Sequence, residues 1–199
     1  MIEIRVHGRG GQGAVSTGQI IAIAALYDGK HSQTFPKFGV ERRGAPVETY
    51  VRIDNKPINI RSQVYNPDIV LVLDSTLIQT EDITKGVKDK GTFVINTSSE
   101  AGDLNLKPSK SSGIKSGGKG GKKEGYGIHT IDASSTAMKI FNRPIVNTPI
   151  LGGFSAITGV VSIKSLQKAI DEKFVHTKGK QTADLNKKAV KEVYDTVKD

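Results

Sequence analysis

Alternating strand and helix signals in this 199-residue chain predict an α/β fold, a doubly wound and mostly parallel sheet flanked by helices, with an antiparallel β-hairpin inserted at one side. Three observations predict it. The period-two run Ile2-Glu3-Ile4-Arg5-Val6-His7 leads through a glycine-rich turn into an apolar helix over 14–26, a strand-loop-helix unit. The run Ile69-Val70-Leu71-Val72-Leu73-Asp74 is almost continuously apolar, the mark of an inner strand covered on both faces. The alternating runs 47–53 and 58–62, joined by Asp54-Asn55-Lys56-Pro57, supply the hairpin.

The elements follow in order. The helix over 14–26 is apolar on nearly every side, as expected of one buried between sheet and neighbours or a partner subunit, and Asp28-Gly29 ends it with a glycine suited to a left-handed cap. A second strand spans 31–35. The stretch 36–46, bounded by Pro36 and Pro46, is too polar in its middle for an inner strand and reads as a loop. After the inner strand at 69–74, Ser75 is placed to cap a helix over 76–87, and 91–96 returns as another inner strand. Residues 126–132 read as a strand and 133–141 as a helix. Over 150–161, a further helix carries Gly152, Gly153 and Gly159, whose small size permits close approach of backbones. Two amphipathic helices close the chain, with Ile163, Leu166, Ile170 and Phe174 forming one core-facing stripe and Leu185, Ala189, Val193 and Val197 the other.

Composition excludes several function classes. No apolar run is long enough to span a bilayer, and the N-terminus enters a strand without a basic leader, so a soluble cytoplasmic protein with no membrane partner is expected. The absence of cysteine removes disulfides, thiolate catalysis and iron–sulfur ligation of the usual kind from this chain. The net charge of +9 owes six lysines to 107–123, a stretch without a single acid and loaded with Gly and Ser. That composition buries no core; a flexible insertion over about 107–125 within one domain of residues 1–199 is the expectation, with an electrostatic handle for an acidic partner as its functional counterpart.

The glycine loop Gly8-Arg9-Gly10-Gly11-Gln12-Gly13 satisfies G-x-G-x-x-G, and a helix N-terminus behind it points N–H groups and a positive dipole end at the turn, a place for phosphate or another anion. Tight strand-to-helix packing alone would also select these glycines. A dinucleotide site would carry an acid at the end of the second strand for the ribose, where Pro36 and Lys37 stand instead. A P-loop would carry Lys and Ser or Thr after the last glycine, where Ala14 and Val15 stand. The histidines, at 7, 31, 129 and 176, show no metal-ligand spacing, and no nucleophile elbow or paired-carboxylate motif is present. In a doubly wound sheet ligands gather at the carboxyl ends of the strands, so the glycine loop, the 36–46 loop and the turns after Asp74 and Asn96 are expected to form one rim. Arg42 and Arg43, with Arg9, have the planar fork that pairs with phosphate or carboxylate.

The glycine loop, then the stretch from Phe35-Pro36-Lys37-Phe38 to Glu41-Arg42-Arg43-Gly44-Ala45-Pro46, then Asn66-Pro67-Asp68-Ile69-Val70 and Asn147-Thr148-Pro149-Ile150-Leu151-Gly152, together resemble the gamma subunit of pyruvate:ferredoxin and related 2-oxoacid:ferredoxin oxidoreductases. The resemblance runs over most of the chain, with 107–123 departing from it as a lengthened connection. It implies a non-catalytic chain of an enzyme that oxidatively decarboxylates a 2-oxoacid, pyruvate by default, joins the acyl group to coenzyme A and passes electrons to ferredoxin. Alpha, beta and delta type subunits would be its partners, and thiamine diphosphate, magnesium and the iron–sulfur clusters would sit on them. It also implies that Gly8, Arg9, Gly10, Gly11, Gln12, Gly13, Phe38, Arg42, Arg43, Asn147 and Thr148 face either the phosphates of coenzyme A or a partner subunit. Two other readings rest on single features: a stand-alone dinucleotide-dependent oxidoreductase on the glycine loop, and a nucleic-acid-binding module on the lysines, the latter disfavoured by their local clustering.

Overall fold

A computed structural model of the chain describes residues 1–37, 43–104, 106 and 126–199. Phe38, Arg42 and the insertion expected over 107–125 lie outside the described residues.

Among the described residues six strands form one sheet: β1 (Ile2–Arg9), β2 (His31–Pro36), β3 (Pro46–Asp54), β4 (Ile69–Val72), β5 (Thr92–Asn96) and β6 (Gly127–Ile131), in the spatial order β2-β3-β1-β4-β5-β6. β1, β4, β5 and β6 are mutually parallel, and β3 runs antiparallel to both of its neighbours. The sheet is therefore mixed, mostly parallel, with its antiparallel hairpin at one side. The antiparallel hairpin that forms is β2–β3, in place of the expected pairing of 47–53 with 58–62.

The expected strand over 58–62 does not form. β3 already has β1 on one edge and β2 on the other, so no ladder is open to it. The backbone of this stretch instead meets the buried Arg52, whose guanidinium donates to Gln63 O at 3.0 Å and Ile60 O at 3.5 Å.

Alternation along each strand separates two cores. Ile4 and Val6, Val51 and Ile53, and Leu71 and Val94 face a large core shared with α1 (Ala14–Tyr27), α3 (Ala133–Phe141), α4 (Ile150–Thr158), α5 (Ile163–Lys178) and α6 (Lys180–Lys198). Val70, Val72, Phe93 and Ile95 face a smaller core closed by Ile83 and Val87. The segment over this second face was expected as a helix across 76–87, yet only α2 (Leu77–Thr80) is helical. Beyond it Asp82 Oδ1 accepts from Thr84 N at 3.2 Å and Thr84 Oγ1 at 2.7 Å, a side-chain turn that competes with helix. Arg5 Nη2 donates to the Ile83 and Lys85 carbonyls, both at 2.9 Å, and so takes up the Ile83 oxygen that a helix reaching 87 would offer to the Val87 amide. Ser75 is not the cap; Thr76 precedes α2, and its N–H is taken by Asp74 Oδ1 at 3.0 Å.

The helices fulfil their expected roles with three corrections. α1 buries Ile20 and Ile21 fully but leaves Leu26 and Tyr27 exposed at its end, so it is not covered all round. α4 stops at Thr158, where Gly159 adopts φ 61°. On α6 the buried stripe runs through Ala183, Asn186, Ala189, Val190 and Val193 and excludes Leu185, which is exposed. The expected close approach at Gly152 is present: a Cβ there would lie 2.1 Å from Val190 O on α6. No helix among the described residues is long and apolar enough to cross a membrane.

Candidate functional site

The connections after β1 and β4 leave the sheet in opposite directions, which makes the gap between these two parallel strands the switch point where such folds take ligands. Leu73 N donates to His7 O at 2.8 Å and carries the pairing to the strand ends, where the chain opens into the glycine loop on one side and Asp74 on the other. Within the glycine loop, Gln12 N donates to Arg9 O at 2.9 Å and Arg9 N to Gln12 Oε1 at 2.7 Å, so the loop closes on itself. Gly11 and Gly13 take φ of 93° and 85°, a region closed to most residues with a Cβ. Gly13 is the N-cap of α1 and offers no side chain, and no acid lies in the first turn, so the helix end keeps its positive potential.

Asp74 ties this loop to the β4 turn. Its Oδ2 accepts from Arg9 Nε at 3.0 Å and Gln12 Nε2 at 2.8 Å. Its Oδ1 accepts from Thr76 N at 3.0 Å and Thr76 Oγ1 at 2.6 Å. Partial burial on its own would raise the Asp74 carboxyl, but the hydrogen bonds from Thr76 and Gln12 and the charge of Arg9 outweigh it and hold the group below the usual carboxylate range. The remaining Arg9 nitrogens are used as well: Nη2 donates to Thr76 Oγ1 at 2.8 Å and Nη1 to Gly44 O at 3.2 Å. Arg9 is thus bound internally. Backbone bonds Gly10 N to Ala45 O, 2.8 Å, and Gly44 N to Gly10 O, 3.0 Å, join the end of the hairpin connection to the same loop. Arg43 stands exposed one residue away.

From the far end of the chain comes Asn147. Its carbonyl accepts from Thr17 Oγ1 of α1 at 3.0 Å, and its side chain fills the space where a Gly13 Cβ would lie. Thr148 is fully buried, and its hydroxyl meets no hydrogen-bond partner among the described residues. The structure therefore brings Gly8 to Gly13, Arg43, Asn147 and Thr148 to one end of the sheet.

Beside the loop lies a cleft of about 350 Å³, lined by Gln12, Asp74, Asn96, Asp132 and Ser134 among others. Asn96 Nδ2 donates to Leu73 O and to Ser134 Oγ, both at 3.0 Å, and Asp132 caps α3 through Ser135 N at 2.9 Å. Sequence reasoning placed the rim here but did not name Asn96, Asp132 or Ser134 as site residues. A partial signal was available: Asp74 and Asn96 each put a polar group at the end of an apolar strand run, whereas the run before Asp132 is interrupted by His129 and Thr130. A wider groove of about 600 Å³, between 75–84 and 97–106, holds none of the residues singled out for the site. The lining carboxylates with hydroxyl and amide groups suit a ligand rich in hydroxyls, amides or amines; the uncapped α1 terminus and Arg43 suit its anionic part.

These residues do not fit an iron–sulfur cluster, since the chain has no cysteine to ligate one, and among the described residues no group of three or more His, Asp and Glu is placed to hold a metal ion.

The fold is of the α/β class, with a polar crevice at its switch point. The family model described as "Pyruvate ferredoxin/flavodoxin oxidoreductase" matches residues 3–196, and the chain belongs to this family. Pyruvate synthase subunit PorC of Methanothermobacter thermautotrophicus is 48% identical over 97% of this chain and 96% of its own. The pyruvate/ketoisovalerate oxidoreductases common subunit gamma of Pyrococcus furiosus is 44% identical over 98% and 96%. The crystal structure of pyruvate oxidoreductase subunit PORC from Thermotoga maritima superposes with a TM-score of 0.77 at 34% identity, covering 98% of this chain and 95% of that one. Within the family the chain is accordingly of the gamma-subunit type, and the stand-alone dinucleotide enzyme and the nucleic-acid module find no support.

Proposed function

We propose that this chain is the gamma subunit of a 2-oxoacid:ferredoxin oxidoreductase, with pyruvate as the oxoacid, and that it contributes to the binding of coenzyme A while partner chains carry out bond-making and electron transfer. The observation that carries the reading is the rim: an uncapped helix N-terminus and a polar cleft meet at the switch point of a chain whose full-length relatives are gamma subunits. Coenzyme A combines phosphates with hydroxyl, amide and amine groups, the two kinds of chemistry that this rim presents side by side. Its phosphates would lie against the α1 terminus and the Arg42-Arg43 region, and its uncharged polar groups in the cleft.

Thiamine diphosphate, magnesium and iron–sulfur clusters belong in this scheme to alpha, beta and delta type partners, and ferredoxin is the acceptor of the whole assembly, a soluble cytoplasmic one. The test is purification of the tagged chain from its native host. The expected result is copurification with thiamine- and cluster-containing subunits, coenzyme A-dependent pyruvate oxidation by the complex, and no turnover by the isolated chain. A solitary chain that turns over pyruvate unaided would overturn the proposal.

A further inference from the structure

Asp74 is a residue to which neither the glycine motif nor the arginines drew attention, yet three separate stretches of chain are joined through it. Four donors converge on its two oxygens: Arg9 Nε and Gln12 Nε2 from the glycine loop, and the amide and hydroxyl of Thr76 from the turn after β4. Through Arg9 Nη1 the same network reaches Gly44 O, and the Gly10 and Gly44 amides clamp that segment from the other side. An ionised carboxylate is acceptor-only, so it can take all four bonds at once; no neutral side chain of this size can. We propose that Asp74 is a positioning residue, which pins the glycine loop, the β4 turn and the Gly44–Ala45 end of the hairpin connection into one rim and thereby sets its affinity for coenzyme A.

The inference rests on the reading that this rim receives coenzyme A, and the two can fail separately. The probe is amide hydrogen exchange on the assembled enzyme, with and without coenzyme A, together with steady-state kinetics. In the wild-type enzyme coenzyme A is expected to slow exchange over 9–16; if it does not, the coenzyme A reading fails. In Asp74→Asn the amide of the new side chain opposes at least one of the four donors while keeping the shape. Exchange over 9–13 and 43–45 is expected to rise at least tenfold, and KM for coenzyme A at least tenfold, with KM for the oxoacid and kcat changing less than a third as much. Arg9→Lys keeps the opposing charge but not the three-way fork, and is expected to give three- to tenfold effects of the same kind; it serves as the readout if Asp74→Asn does not assemble. Because the residues act as one network, the double variant is expected to be no worse than Asp74→Asn alone. Protection by coenzyme A in the wild type, combined with unchanged exchange in both variants or equal rises in the two KM values, would overturn the positioning role.

Discussion

Gly13 and Asn147 pack so closely that a Cβ on Gly13 would lie 2.8 Å from Asn147 Nδ2 and 3.0 Å from its Cγ. This one contact joins the glycine loop of the first βα unit to the turn that opens α4, and it brings the two motifs together at one end of the sheet.

Gly13→Ala therefore faces two penalties, a φ of 85° and the collision with Asn147. Together these are expected to cost about 2–4 kcal/mol. Gly11→Ala faces only the first, since nothing lies within 4 Å of its Cβ position, and should cost about 1 kcal/mol. Denaturant unfolding of the two variants checks the difference, and equal losses would show that the Asn147 contact is inconsequential.

A pH dependence follows from His7. It is buried, accepts from Arg5 Nε at 3.0 Å through Nε2, and is pushed down to about 4, chiefly by burial and then by the charge of Arg5. The folded chain thus holds the neutral imidazole, whereas the unfolded chain protonates near 6.5. Its contribution is complete above pH 6.5, declines as pH falls from there to about 4, and is constant below. The loss is on the order of 3 kcal/mol. Unfolding free energies measured across this window should show the decline, and His7→Gln should flatten it.

Arg52 is 1% exposed and pairs with Glu3 Oε1 at 3.0 Å while donating to Gln63 O. Arg52→Met leaves Glu3 with only the more distant Lys88 Nζ, at 3.7 Å, and releases the backbone of the 58–63 stretch. A destabilisation of about 3 kcal/mol is expected. Limited proteolysis should in addition cut this stretch faster than in the wild type.

In the assembled enzyme, Arg42→Ala combined with Arg43→Ala is expected to raise KM for coenzyme A roughly tenfold, the loss of about one charge-assisted contact. KM for the oxoacid should move much less. Parallel changes in both constants would assign the pair to subunit assembly instead.

Much of this architecture was readable in advance because it is written in local patterns. The apolar run ending at Asp74 signalled a strand buried on both faces, and Asp28-Gly29 signalled a helix stop that Gly29 makes with a φ of 74°. The place where the glycine loop and the polar turns meet was also legible, since alternating strand and helix signals put these turns at the carboxyl ends of parallel strands.

The 58–62 strand and the 76–87 helix were misread for one shared reason. Each has a sound local pattern, but a buried arginine on a strand takes up its backbone carbonyls: Arg52 those of Ile60 and Gln63, Arg5 those of Ile83 and Lys85. Arg5 lies some eighty residues from its acceptors, and Arg52, though within a dozen residues of its own, gives no sign in the strand pattern that its side chain turns back onto that stretch.

Periodicity and glycine placement were enough to give the fold class and the end of the sheet where the glycine loop and the polar turns meet, and the composition shows that this chain has no cysteine to ligate a cluster. Which edge β3 would share, that Arg9 would be spent on Asp74, and that Asn147 would close against Gly13 depended on folding. The physical reason is range: propensity and patterning act between neighbours along the chain, whereas a carboxylate chooses among donors that only the packed sheet brings within 3 Å.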